Sequence, residues 1–162
     1  MKYIFGYGSL ILTAGINGRG MNRVYQERDL HIAKLYGYRR EWNACWDNDL
    51  FLGLTKSNDH FVNGIIFPID DKDIQPFLES EGFRDTLSIY SFEDVTQSIV
   101  NHQLDSEDRV FTCVTVNPTA NGKIPLYYIQ LIKAGLKRRG EAFKLEFIKT
   151  TFPNMPEGYY DF

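Results

Sequence analysis

Hydrophobic and polar positions alternate from the start of the chain. Tyr3, Phe5 and Tyr7 fall on one face and Lys2, Ile4 and Gly6 on the other, a β-strand with an aromatic side that ends where Gly8-Ser9 breaks the period. Residues 29–42 and 110–116 read as further strands, and residues 87–92 as another. Two apolar runs, 51–55 and 61–68, flank Ser57-Asn58-Asp59, turn chemistry that predicts a hairpin; the second is nearly continuous, as in a strand buried on both faces. Helical spacing begins after Asp70-Asp71-Lys72-Asp73, where Ile74, Phe77, Leu78 and Glu81 share one face. Asp73 as the cap would place Pro76 in the first turn, and Gly82 supplies the stop. A second helix opens at Pro125, carries Tyr128, Leu131, Ile132, Gly135 and Leu136 on one stripe and ends at Gly140; a third covers 141–151 and stops at Pro153.

The intervening stretches lack a period. Residues 13–26 are polar and glycine-containing and read as a surface connection, 97–107 as a loop, and the aromatic, acidic tail 155–162 as a segment that folds back or stays loose. Six or so strands with late helices predict one α+β domain over residues 1–162.

Composition narrows the function classes. Aromatic residues make up 15% of the chain, which favours a ring-lined pocket. A net charge of -3 gives no basic footprint for nucleic acid, and Lys137-Arg138-Arg139 reads as a solvated helix end complementing the helix dipole. No apolar window is long enough for a membrane span, and Gly6, Gly8 and Ser9 interrupt what would otherwise resemble a leader peptide. Cys45 and Cys113 have neither disulfide-scaffold nor metal spacing, which suits the reducing cytoplasm; Cys113 shares a face with Phe111 and Thr115 and reads as packing. His31, His60 and His102 show no metal-ligand spacing and no triad partner, and Trp42 and Trp46 read as core.

Three places could carry chemistry. Gly6 and Gly8 remove the Cβ on either side of Tyr7, so the segment is either a bulge at a strand end or a turn whose N–H groups receive a carboxylate or an oxyanion. Glu81 is a carboxylate on a buried helix face, which is costly unless the group is paired, with Arg39, Arg40 or Arg84, or used as an acid/base. Tyr128 heads a buried stripe, either as a core tyrosine with its hydroxyl on a backbone carbonyl or as a pocket wall.

Phe5-Gly6-Tyr7-Gly8-Ser9-Leu10-Ile11 resembles the N-terminal signature of the γ-glutamylcyclotransferase-like proteins, in particular the ChaC branch. Residues 33–42 resemble that family's second strand, Leu78-Glu79-Ser80-Glu81-Gly82 its leucine-x-x-glutamate-glycine, and Tyr128 with Gly135 the tyrosine and glycine after its proline-rich helix start. The resemblance covers most of residues 1–150. It implies a small mixed β-barrel with surrounding helices, and release of 5-oxoproline and an amino compound from a γ-glutamyl small molecule, glutathione being favoured by the ChaC-like motif. It further implies Glu81 as acid/base, the turn of Tyr7, Gly8, Ser9 and Leu10 as the glutamyl-binding element, Tyr128 as a pocket wall, and no metal or other cofactor. The chain departs from the pattern where the family places a tyrosine shortly after the glutamate: that position is about Ser88, with Tyr90 two residues later. A binding module that keeps the pocket without turnover is the alternative.

Overall fold

The computed structural model describes residues 1–83 and 88–152. In chain order it contains β1 (Lys2–Gly6), α1 (Thr13–Ile16), β2 (His31–Trp46), β3 (Asp49–Ile69), α2 (Asp71–Ser80), β4 (Tyr90–Asp94), β5 (Ile99–Val100), β6 (Arg109–Thr115), α3 (Leu126–Arg139), α4 (Glu141–Lys149) and β7 (Thr151–Phe152). One mixed sheet runs β4-β6-β1-β3-β2-β5, with β7 also on β2; β1–β6 and β2–β7 are parallel and the other pairs antiparallel. It curls into a half-barrel with the helices around it, the α+β architecture expected from the sequence.

The sheet is built on one long ribbon. The segments 51–55 and 61–68, expected to be two arms of a hairpin, belong to the single strand β3, which pairs with β2 from Trp46↔Asp49 to His31↔Ile66. The hairpin turn lies earlier, at Asp47 and Asn48, both at positive φ (47° and 69°), the backbone that a two-residue turn needs to match strand twist. Ser57-Asn58-Asp59 does not end the strand. The register slips there, between Tyr36↔Phe61 and Tyr38↔Lys56, opposite Gly37 at φ 81°, so the turn residues form a bulge.

β1 covers only the second half of β3, from Ile65 to Ile69. Among the described residues no strand lies against the edge of β3 around Leu50 and Leu52, where Lys123 makes only an isolated bridge to Asp49, and a cavity opens there. Leu50 N–H donates to Lys123 O at 2.9 Å, and Leu52 O accepts the Tyr90 hydroxyl at 3.1 Å.

Several helical expectations change. Asp70, not Asp73, occupies the cap position of α2, so Pro76 stands inside the helix and withholds one main-chain donor there. Asp73 is fully buried for another reason: its carboxylate accepts Asn22 N–H (2.7 Å), Asn22 Nδ2 (2.8 Å) and Arg23 N–H (3.1 Å). The segment 13–26 is thus no plain surface connection. It begins as α1, buries Ile16 and Tyr25 (whose ring meets Phe67 edge-on at 5.1 Å), and is pinned to α2. The third helix ends at Lys149, and Thr151 already belongs to β7. Residues 97–107 contain the short strand β5, which pairs with Lys34 and Leu35. The strand expected over 87–92 is β4, from Tyr90; Arg84, Leu87, Pro153 and the tail 155–162 lie outside the described residues.

Arg40 ties α4 to the ribbon. It is completely buried, stacks 3.7 Å over the Phe147 ring, and donates to Phe147 O (3.1 Å), Thr151 Oγ1 (3.2 Å) and Asn63 Oδ1 (3.1 Å) as well as Asn63 O. Burial lowers its pKa to about 9, so it remains a cation at neutral pH. Carbonyls at the C-terminal end of α4 and a planar fork of donors meet here, with no carboxylate in an ion pair with Arg40 among the described residues. Among the described residues, no helix is long and apolar enough to cross a membrane, and no cluster of three His, Cys, Asp or Glu is placed to hold a metal ion.

Candidate functional site

β1 ends at Gly6 and the chain reverses through a 3-10 turn, Ser9–Ile11, in which Ile11 N–H donates to Gly8 O at 3.3 Å. The N–H groups of Ser9 and Leu10 lie at the start of that turn, where the turn itself offers no acceptor, and the Ser9 N–H faces the Tyr128 hydroxyl. Glycines let two helices close on it. A Cβ on Gly15 in α1 would stand 1.9 Å from Ser9 O, and one on Gly135 in α3 would stand 2.5 Å from Ile11 Cγ1. Arg139 completes the clamp: its Nε donates to Ile11 O at 3.0 Å and its guanidinium pairs with Glu27. The basic run at the end of α3 is therefore solvated only at Lys137 and Arg138, while Arg139 is a fastener of the turn.

Three tyrosines surround the turn. Tyr7 is buried and donates its hydroxyl to Cys113 O at 2.8 Å, joining β1 to β6. Tyr90 is buried with its hydroxyl on Leu52 O. Tyr128 packs edge-on against Phe51 at 5.0 Å and Trp42 at 6.1 Å, and its hydroxyl lies where a Cβ on Gly8 would come within 2.5 Å. Burial raises the Tyr128 pKa, the charge of Glu81 adds to the rise, and the N–H groups of Leu52 and Ser9 facing the hydroxyl work against it. Burial likewise raises Tyr7, Tyr90 and Cys113, with smaller contributions from Glu81. All three phenols are neutral at physiological pH; those of Tyr7 and Tyr90 donate to carbonyls, and that of Tyr128 faces the Leu52 and Ser9 N–H groups.

Glu81 follows α2 as its C-cap, with its N–H on the carbonyls of Phe77 and Leu78, and Gly82 takes φ 86° behind it. Its side chain is 16% exposed and faces inward, as the helical spacing predicted. The partner is an arginine that the sequence reading did not consider. Arg39 pairs with Glu41, Arg40 is engaged elsewhere and Arg84 lies outside the described residues; the ion pair to Glu81 comes from Arg19. Arg19 stands between Gly18 (φ 82°) and Gly20 (φ 75°), and its side chain is 18% exposed. Its Nε donates to Gly15 O at 2.5 Å and its Nη1 to Ser80 Oγ at 3.0 Å and to Glu81. Because Gly15 is packed on Ser9, the arginine is anchored beside the turn.

These groups line one cavity of about 390 Å³, which contains Gly8, Ser9, Leu10, Arg19, Glu81 and Tyr128 on its walls, together with Tyr7, Tyr90 and Cys113. The structure thus brings every sequence-predicted site residue to one space. The Tyr7 hydroxyl is already committed to the fold through Cys113 O. Tyr90, two residues after Ser88, also lines the cavity, on the wall facing Leu52. Trp46, expected in the core, is 49% exposed and stands at the rim with Phe51 and Tyr127. Arg19 could have been noticed as a lone arginine held between two glycines; Trp46 carried no such signal, since a turn two residues wide decides its exposure.

No protein-family model matches this chain, and no curated protein matches it in sequence. Solved structures do. A gamma-glutamyl cyclotransferase superposes with a TM-score of 0.65 at 16% identity, over 96% of this chain and 90% of the other. An uncharacterized protein from Homo sapiens gives 0.67 at 16% identity, covering 97% and 89%. YkqA from Bacillus subtilis gives 0.63 at 18% identity, covering 84% of this chain and 48% of that one. At such identities the likeness speaks for architecture, and with the half-barrel, the glycine-bounded turn and the helix ending in Glu81 it gives one conclusion: the chain has the γ-glutamylcyclotransferase-like fold.

Proposed function

We propose that this protein is a γ-glutamyl cyclotransferase, acting on a γ-glutamyl small molecule in the cytoplasm. The observation that carries the reading is the shared cavity: a half-buried carboxylate, Glu81, on the same walls as the Ser9–Ile11 turn and Tyr128. In such a substrate the α-amine attacks the γ-carbonyl carbon, a lactam C–N bond forms, and the bond to the departing amine breaks. Two protons must travel from the attacking to the leaving nitrogen. Nucleophile and leaving group come from one molecule, so the reaction needs a held geometry and a proton carrier.

Glu81 carries the two protons in turn, taking one from the α-ammonium and a second from the ring nitrogen after attack, and passing each to the leaving nitrogen. Main-chain N–H groups at the start of the turn stabilise the oxyanion. Tyr128 and Tyr90 wall the glutamyl chain. Glutathione is the first substrate to try, because the motif at 5–11 is ChaC-like.

Glu81→Gln keeps shape and removes the basic site. The expected result is a folded protein whose 5-oxoproline release falls by roughly 10² to 10⁴; release at the wild-type rate sinks the assignment. The ion pair from Arg19 to Glu81 favours a second reading, a binding module without turnover. Calorimetric binding of γ-glutamyl compounds by the wild-type chain, with no 5-oxoproline formed, decides for it.

A further inference from the structure

We infer that Arg19 receives the α-carboxylate of the substrate, and that the Arg19–Glu81 ion pair is the unliganded form of a site built for an amino-acid zwitterion. The inference rests on the reading of this cavity as a γ-glutamyl site. Arg19 lines the cavity, contacts Glu81 directly, and spends only Nε and Nη1 on Gly15, Ser80 and Glu81; among the described residues its Nη2 has no partner. An α-ammonium and an α-carboxylate hang from the same carbon. A ligand that sets its ammonium on Glu81 must therefore hold its carboxylate within reach of the cation that Glu81 gives up. One internal ion pair is exchanged for two with the ligand, and neither charge is left alone in a half-buried place.

The second observation is how Arg19 is held. Its Nε is fixed on Gly15 O, and Gly15 is packed against Ser9, so the guanidinium keeps a set position relative to the turn while its Nη groups remain able to change partner. With the carboxylate on Arg19, the N–H groups of the turn are left for the carbonyl oxygen that becomes the oxyanion. The substrate class follows: a γ-glutamyl compound with a free α-carboxylate. Its α-amide or α-ester is rejected, since Arg19 would then be displaced from Glu81 with nothing to pair.

The test is calorimetric binding of 5-oxoproline and of its uncharged carboxamide to the wild-type chain and to Arg19→Met, Arg19→Lys and Glu81→Gln, each first shown to melt like a folded protein. Arg19→Met is expected to weaken 5-oxoproline roughly tenfold or more and leave the carboxamide unchanged. Arg19→Lys recovers part of the loss. Glu81→Gln tightens 5-oxoproline, because the competing internal anion is gone. Equal weakening of both ligands, unchanged 5-oxoproline affinity in Arg19→Met, or no binding by the wild type overturns the inference. Arg19-dependent binding in a protein without turnover removes the cyclotransferase reading and keeps this one; turnover with Arg19-independent affinity does the opposite.

Discussion

Replacing Asp73 by Asn tests whether the segment that carries Arg19 is held from α2. The carboxylate accepts three N–H donors from Asn22 and Arg23, at 2.7, 2.8 and 3.1 Å, from full burial. An amide keeps one acceptor oxygen but turns an NH2 group toward a main-chain N–H, so one bond becomes a donor–donor clash and the others lose the charge. With hydrogen bonds to charged groups worth about 1.5–3 kcal/mol each and not additive, the variant loses about 2–4 kcal/mol. If the loss is global, the melting temperature falls by roughly 5–15 °C; if local, hydrogen exchange at Asn22 and Arg23 accelerates while the core stays protected.

The same carboxylate sets a pH dependence. Burial alone would raise its pKa, but the Asn22 and Arg23 donors outweigh that and hold it below the ordinary carboxyl value. A depressed folded-state pKa contributes stability that is complete above the unfolded-state pKa and disappears as pH falls through the folded one. Wild type should therefore lose more stability on acidification than Asp73→Asn does. Equal melting temperatures at neutral pH, with unchanged exchange over residues 13–26, would refute the claim that Asp73 anchors this segment.

Gly15→Ala pushes a methyl group to 1.9 Å from Ser9 O, so the turn must shift by about an ångström; a displacement of that size costs on the order of 10² in kcat/KM, and a variant with wild-type kcat/KM shows that the turn's placement is irrelevant to turnover. Arg40→Lys keeps the charge but cannot span Phe147 O and Asn63 together, and should cost about 2–4 kcal/mol in thermal or urea unfolding; a wild-type melt means that charge alone suffices there.

The parts that local chemistry dictates were legible in the sequence. Period-2 alternation located β1 and β6, period-3.6 spacing turned Glu81 and Tyr128 inward, and the glycines bracketing Tyr7 marked the end of the strand, leaving bulge and turn open where the structure has the turn. What escaped depends on contacts far apart in the chain. Arg19 meets Glu81 across 62 positions and Asp73 meets Asn22 across 51, and neither pairing leaves a period in the sequence. The misplaced hairpin has a different cause: Ser57-Asn58-Asp59 and Asp47-Asn48 carry similar turn chemistry, and only the pairing of the whole ribbon decides which reverses the chain and which bulges.

The bare flank of β3 at Leu52 links function to solubility. A strand margin with open peptide groups invites another chain to add to it, and in this fold the aromatic wall of the pocket is what occupies it: Tyr90 covers the Leu52 carbonyl and Tyr128 faces its N–H. Remodelling those rings to change what the protein accepts would also uncover a docking edge, so specificity variants at Tyr90 or Tyr128 should be screened for self-association before their kinetics are read.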